Sequence, residues 1–196
     1  MSIINLKDKI NHITETHSDI NEHIPTLMKY ARECDHITEM GVRWIVSTWA
    51  FLATSPNKLI SYDILDPSNW DVNANIQDVY DTAEKKQLNF QFIQANVLNI
   101  EIEETDLLFL DTWHAYKQLK SELALHSSKT RKYIILHDTT TYAENDEKSY
   151  EAWGSGWQGD GKGIWPAIEE FLHENQTWEL LERFTNNNGL TILKRT

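Results

Sequence analysis

The stretch Thr105–Thr139, TDLLFLDTWHAYKQLKSELALHSSKTRKYIILHDT, decides the fold. It holds two apolar runs, Leu107–Leu110 and Tyr133–Leu136. Each run ends at a carboxylate with a histidine close by: Asp111 with His114, and Asp138 with His137. Between them, Tyr116, Leu119 and Leu123 recur at helical spacing, so the stretch reads as strand, helix, strand. A continuous apolar run, in place of an alternating one, is what a parallel strand covered on both faces requires. Ligands of such a sheet sit beyond the carboxyl ends of its strands. Both acid–histidine pairs are therefore expected on one rim, within reach of a single site.

Upstream, His36–Met40 is a short strand that runs into Gly41, and a helix follows from about Ser47 to Ala53. A glycine at a strand end lets the backbone approach a ligand closely. The helix N-terminus beyond it offers free N–H groups, with Ser47 and Thr48 suited to its cap. The turn is not the G-x-G-x-x-G dinucleotide pattern, because Trp44 and Ile45 stand where small residues are needed. Lys58–Tyr62 is a second strand ending at Asp63, 24 residues after Glu39, where nucleoside-binding α/β folds hold ribose hydroxyls. Residues 76–88 read as a helix and 89–95 as a third strand ending at Asn96. Residues 1–33 form a helical N-terminal segment in which Ser18-Asp19 starts a second helix and Pro25 limits where it begins in earnest. His12, His17 and His23 are read as a solvated face, and His126 and His173 as surface positions on helices.

Downstream, residues 139–163 hold five of the seven glycines together with Trp153 and Trp157. A glycine-rich loop with aromatics, set directly after a rim carboxylate, reads as a mobile substrate lid; the plainer alternative is an irregular insertion without a role. A helix over 164–174 takes Pro166 in its first turn. Residues 178–185 and 190–194 flank Asn186-Asn187-Asn188-Gly189, a hairpin turn signal. The whole is one α/β domain over residues 1–196. It is a Rossmann-like three-layer sandwich whose mostly parallel seven-stranded sheet ends in an antiparallel hairpin.

Composition narrows the function. With 18 basic and 30 acidic residues the net charge is −12, and no Lys/Arg cluster interrupts it. Such a chain is a poor partner for nucleic acid or an anionic membrane, which demand clustered cations. The single cysteine, Cys34, forms no internal disulfide and reads as a small hydrophobe, as in a reducing compartment. The polar N-terminus is no signal peptide, and no apolar run nears the ~18–20 residues of a bilayer span. The expectation is a soluble, cytoplasmic protein.

With these pieces in order, the chain from about residue 18 to 196 resembles the class I S-adenosylmethionine-dependent methyltransferases. Within that class it is most similar to small-molecule O-methyltransferases of the macrocin, rhamnosyl and cephalosporin-pathway type. The residues that carry the resemblance are Asp111-Thr112-Trp113-His114 after the fourth strand, Glu122-Leu123 in the next helix and Asp138 after the fifth. The resemblance implies S-adenosylmethionine as cofactor. It sets Glu39, Gly41, Arg43, Ser47 and Thr48 near the methionine part, Asp63 on the ribose, Asn96 at the adenine edge and Asp111 beside them. Trp44-Ile45 departs from the small residues usual in that turn and would narrow or close the pocket.

The resemblance also implies a divalent metal, Mg²⁺ or Mn²⁺, on Asp111, His137 and Asp138; a histidine ligand suits the softer ions better than Mg²⁺. His114 is the expected general base, paired with Asp111, whose charge should raise its pKa. Trp113, Tyr116, Tyr142, Trp153 and Trp157 are candidate walls of an acceptor pocket. The implied partner is a small-molecule hydroxyl acceptor, with a homo-oligomer common in the class. Two alternatives stand beside this: a catalytically silent cofactor-binding or interaction protein on the same fold, and a metal-dependent hydrolase using Asp111, His114, His137 and Asp138.

Overall fold

The computed structural model describes residues 5–148 and 161–196. Seven strands form one sheet: β1 (His36–Met40), β2 (Lys58–Asp63), β3 (Asn89–Gln94), β4 (Thr105–Leu110), β5 (Thr130–His137), β6 (Trp178–Phe184) and β7 (Leu190–Arg195). Their spatial order is β3-β2-β1-β4-β5-β7-β6. The first five run parallel, and β7 pairs antiparallel with both β5 and β6. The order reverses between β1 and β4, where Ile37 faces Leu107 and Met40 faces Leu110. That reversal opens a crevice beyond the carboxyl ends of the two strands.

Helices cover both faces, which is why the strands of the 105–139 stretch are apolar throughout. On one face α1 (Leu6–Glu15), α2 (Ile24–Ala31), α3 (Val46–Ala53) and α4 (Ile76–Lys85) pack over Ile37, Leu107, Phe109 and Ile135. On the other, α5 (Tyr116–His126) and α6 (Trp165–Glu174) pack over Met40, Leu108, Leu110 and Ile134. Successive residues of β4 thus feed opposite cores, and burying each such side chain contributes about 1.5–3 kcal/mol.

Several local expectations change. Ser18-Asp19 does not start a helix: a short 3₁₀ turn over Asn21–His23 intervenes, and α2 begins at Ile24 with Pro25 in its first turn. Ser47 and Thr48 do not cap α3. Ile45, in the left-handed region at φ 57°, takes the cap position without a side-chain bond. The helix after residue 76 stops at Lys85, because Gln87 turns left-handed at φ 57° to enter β3. His23 and His126 are buried, and neither lies on a solvated face. His23 Nε2 meets the carbonyls of Asn186 and Asn187, and His126 Nε2 meets that of Val97. The hairpin turn between β6 and β7 has positive φ at Asn187, Asn188 and Gly189, as its sequence signals. No helix among the described residues is long and apolar enough to cross a membrane.

Candidate functional site

Gly41 makes the crevice possible. Its φ is +91°, and a Cβ there would lie 1.9 Å from the Asp111 carbonyl oxygen, so only glycine lets the ends of β1 and β4 approach this closely. The turn that follows is strained, with Arg43 at φ 43° and Ile45 at φ 57°. Asp63 secures it: Oδ2 accepts from the N–H groups of Val42 (2.8 Å) and Arg43 (3.0 Å), while Oδ1 accepts from Leu65 (3.0 Å). The bulk of Trp44-Ile45 does not fill the crevice. Ile45 turns into the core, and Trp44 lies at the rim with the Arg43 guanidinium 3.9 Å over its ring. A cavity of about 260 Å³ remains, running from the Gly41 turn past Asp63 and Asn96 to Asp111, His114 and Asp138.

Glu39 is not on the cavity wall. It is fully buried, and its carboxylate accepts from Ser47 Oγ (2.6 Å), Thr48 Oγ1 (2.8 Å) and Ser61 Oγ (2.5 Å). Burial pushes its pKa up, the hydroxyls act against that, and the result is about 7. The hydroxyls expected at the helix cap and cofactor are therefore committed to Glu39, although Ser47 also borders the cavity. Arg43 reaches the Asp19 carboxylate at 3.2 Å, which ties the N-terminal segment across the turn. Asn96 borders the cavity while its side chain accepts from the Leu98 N–H at 3.0 Å.

At the other end, His114 Nε2 lies 3.2 Å from Asp111 Oδ1 and 3.1 Å from Asp138 Oδ2, and Nδ1 lies 2.8 Å from Glu147 Oε2. Burial alone would lower its pKa; the carboxylates of Asp111, Glu147 and Asp138 override that and hold it up at about 10. Burial works against ionisation of Asp111 too, but the His137 and His114 imidazoles keep its carboxyl well below the usual range. Tyr142 stacks flat on the His114 ring, 4.9 Å between centroids at 3°. Asp138 holds φ 60°, and its Oδ1 is buried with no hydrogen-bond partner among the described residues. Strained backbone and an unsatisfied carboxylate oxygen together mark a site whose local cost is offset by the surrounding fold.

Among the described residues, Asp111, His114 and Asp138 each offer one ligand atom, all within 4.8 Å of one another. His137 stands outside that group. It is buried behind Asp111, with Nδ1 3.2 Å from Asp111 Oδ1 and Nε2 facing the carbonyls of Asp19 (3.1 Å) and Asn187 (3.3 Å). With acceptors at both nitrogens it carries both protons, and its pKa stands well above the ordinary histidine value: burial lowers it, and Asp111 and Asp138 more than reverse the effect.

Trp113 and Tyr142 line the cavity, whereas Tyr116 is buried beneath α6 and donates to Glu170. Trp153 and Trp157, with residues 149–160 of the expected lid, lie outside the described residues. Two residues that sequence reading missed fasten the segment after β5. Asp146 accepts from the N–H groups of Tyr116 (2.8 Å), Gly161 (2.8 Å) and Gly163 (2.9 Å), and Glu147 meets His114. Glu122, behind the site, accepts from Thr112 Oγ1 (2.5 Å) and Gln118 Nε2 (2.7 Å).

No protein-family model matches the sequence, and no curated protein sequence matches it significantly. Solved structures do. An O-methyltransferase from Bacillus cereus in complex with S-adenosylhomocysteine superposes with a TM-score of 0.64 at 11% identity, over 100% of this chain and 93% of the other. The magnesium protoporphyrin IX methyltransferase from Synechocystis PCC 6803, with the same ligand bound, gives 0.57 at 12% identity over 97% and 94%. A methyltransferase from Podospora anserina, also bound to S-adenosylhomocysteine, gives 0.54 at 15% identity over 97% and 87%. At these identities the likeness is one of fold, and the chain adopts the α/β fold of the class I S-adenosylmethionine-dependent methyltransferases.

Proposed function

We propose that this protein is an S-adenosylmethionine-dependent O-methyltransferase acting on a hydroxyl of a small molecule, such as a sugar or natural-product intermediate. One observation carries the reading: a single cavity joins the Gly41 turn at the switch point to the Asp111–His114–Asp138 cluster. The fold neighbours named above hold S-adenosylhomocysteine, the product form of the same cofactor, which supports it.

Methyl transfer needs an acceptor oxygen aligned with the donor, removal of its proton, and exclusion of water. Trp113 and Tyr142 supply apolar walls beside the cluster. A divalent ion fits the donor set of two carboxylates and one imidazole, and the partnerless Oδ1 of Asp138 is the kind of buried acceptor such an ion satisfies. Two oxygens and one nitrogen favour Mn²⁺ over Mg²⁺. When bound, the ion lowers the pKa of a coordinated hydroxyl.

His114 is revised from base to ligand in this reading. At neutral pH its ring holds a proton between carboxylates, and it becomes an acceptor at Nε2 only when that proton leaves. The carboxylates of Asp111 and Asp138, which border the same cavity, are the acidic groups beside which the acceptor hydroxyl would lose its proton. The test is methyl transfer from labelled S-adenosylmethionine to a panel of catechols and sugars. Transfer that a chelator slows and that Asp111→Asn and Asp138→Asn abolish supports the assignment; transfer undiminished in both variants refutes it.

A catalytically silent binding protein is the second reading. Its support is that Asp63 and Glu39 spend their oxygens on protein donors. Cofactor binding without transfer to any acceptor would favour it.

A further inference from the structure

We infer that Glu147 is a positioning residue for His114: it fixes the imidazole so that Nε2, the atom facing Asp111 and Asp138, is the one presented to a divalent cation. The inference rests on the metal-assisted reading above and concerns this chain's own residues. Glu147 Oε2 lies 2.8 Å from His114 Nδ1, and a carboxylate only accepts, so Nδ1 must carry hydrogen. Nε2 is then directed at Asp111 Oδ1 and Asp138 Oδ2. The flat stack of Tyr142 fixes the plane of the ring, and the Glu147 contact fixes its rotation within that plane.

Glu147 is itself held rigidly. Its N–H donates to the His114 carbonyl at 2.8 Å, and its own carbonyl accepts from Trp113 Nε1 at 2.9 Å. Its side chain is only 13% exposed. The neighbouring Asp146 caps the start of α5 and binds the backbone at Gly161 and Gly163. Backbone and side-chain contacts thus join Glu147 to both Trp113 and His114, so ring and carboxylate move as one unit. A carboxylate behind a ligand histidine sets its tautomer and raises its basicity, and removing such a partner typically weakens metal binding about 10–100-fold.

The probe is Mn²⁺ alone, titrated calorimetrically into the wild type, Glu147→Ala, Glu147→Asp, Glu147→Gln and His114→Ala. Orientation predicts that Glu147→Ala and His114→Ala weaken binding about 10-fold or more. Glu147→Asp, which keeps the charge but withdraws the carboxylate by one methylene, should follow them. Glu147→Gln, whose amide oxygen still accepts from Nδ1–H, should stay within a few-fold of wild type. With diamagnetic Zn²⁺ bound, the His114 ¹⁵N spectrum should show the metal on Nε2 and the hydrogen on Nδ1 in wild type and Glu147→Gln, and a mixture of Nε2-bound and Nδ1-bound rings in Glu147→Asp. Wild-type Mn²⁺ affinity in Glu147→Ala overturns the inference. So does the reverse order, with Glu147→Asp intact and Glu147→Gln weakened, since charge alone would then suffice. A wild type that binds no Mn²⁺ overturns it together with the metal assignment, while S-adenosylmethionine binding by the same sample judges the cofactor reading separately.

Discussion

Replacing Glu39 with Gln should change the pH dependence of stability in a calculable way. The carboxyl is fully buried among three hydroxyl donors, and its pKa is about 7 against an ordinary 4.5. Between those two values the folded chain keeps a proton that the unfolded chain has released. Stability therefore falls as pH rises through that window and levels off above it. The whole gap corresponds to about 3 kcal/mol, and most of it falls between pH ~5 and ~8. Gln has no such proton, so the stability of Glu39→Gln relative to wild type should rise by about that amount from pH ~5 to ~8. Glu122 is also buried and raised to about 7, but it titrates in both proteins and cancels in the comparison. Urea unfolding of the two proteins at four pH values across the window measures the difference. A difference that stays flat with pH would mean that the three hydroxyls keep Glu39 ionised, and the burial argument would fail.

Two further substitutions test how the crevice is built. Gly41→Ala forces a Cβ to 1.9 Å from the Asp111 carbonyl at φ +91° and should cost at least ~2 kcal/mol in chemical unfolding, with loss of ligand binding; a stable variant that still binds would contradict the close approach. Asp146→Ala leaves three backbone N–H groups without their acceptor and should destabilise the segment after β5 by about 2–4 kcal/mol. Faster hydrogen exchange at the amides of Tyr116 and Gly163 would show it, and unchanged protection would refute the capping role.

What the sequence made legible follows from which interactions are local. The apolar runs of β4 and β5 announce strands covered on both faces, because each alternate residue enters a different core. The Asn-Asn-Asn-Gly turn is readable because positive φ is a property of those residues themselves. The rim position of Asp111, His114 and Asp138 follows from the sheet topology. What stayed hidden depends on remote partners. His23 and His126 look like surface histidines, yet backbone carbonyls from the hairpin turn and from Val97 satisfy them inside. His137 looks like a ligand beside Asp138 but turns inward to Asp111 and two carbonyls. Ser47 and Thr48 look like caps, and a buried acid at Glu39 claims both hydroxyls. Glu147 meets His114 across 33 residues and a loop, a pairing that no spacing rule reaches.

Titration of the purified protein with S-adenosylmethionine and with S-adenosylhomocysteine by calorimetry bears most directly on the cofactor reading. The cavity between the Gly41 turn and the Asp111–His114–Asp138 cluster predicts one site per chain with micromolar affinity for both ligands, lost in Gly41→Ala. No heat of binding at millimolar ligand would contradict it, and the methyltransferase fold would then serve another purpose in this chain.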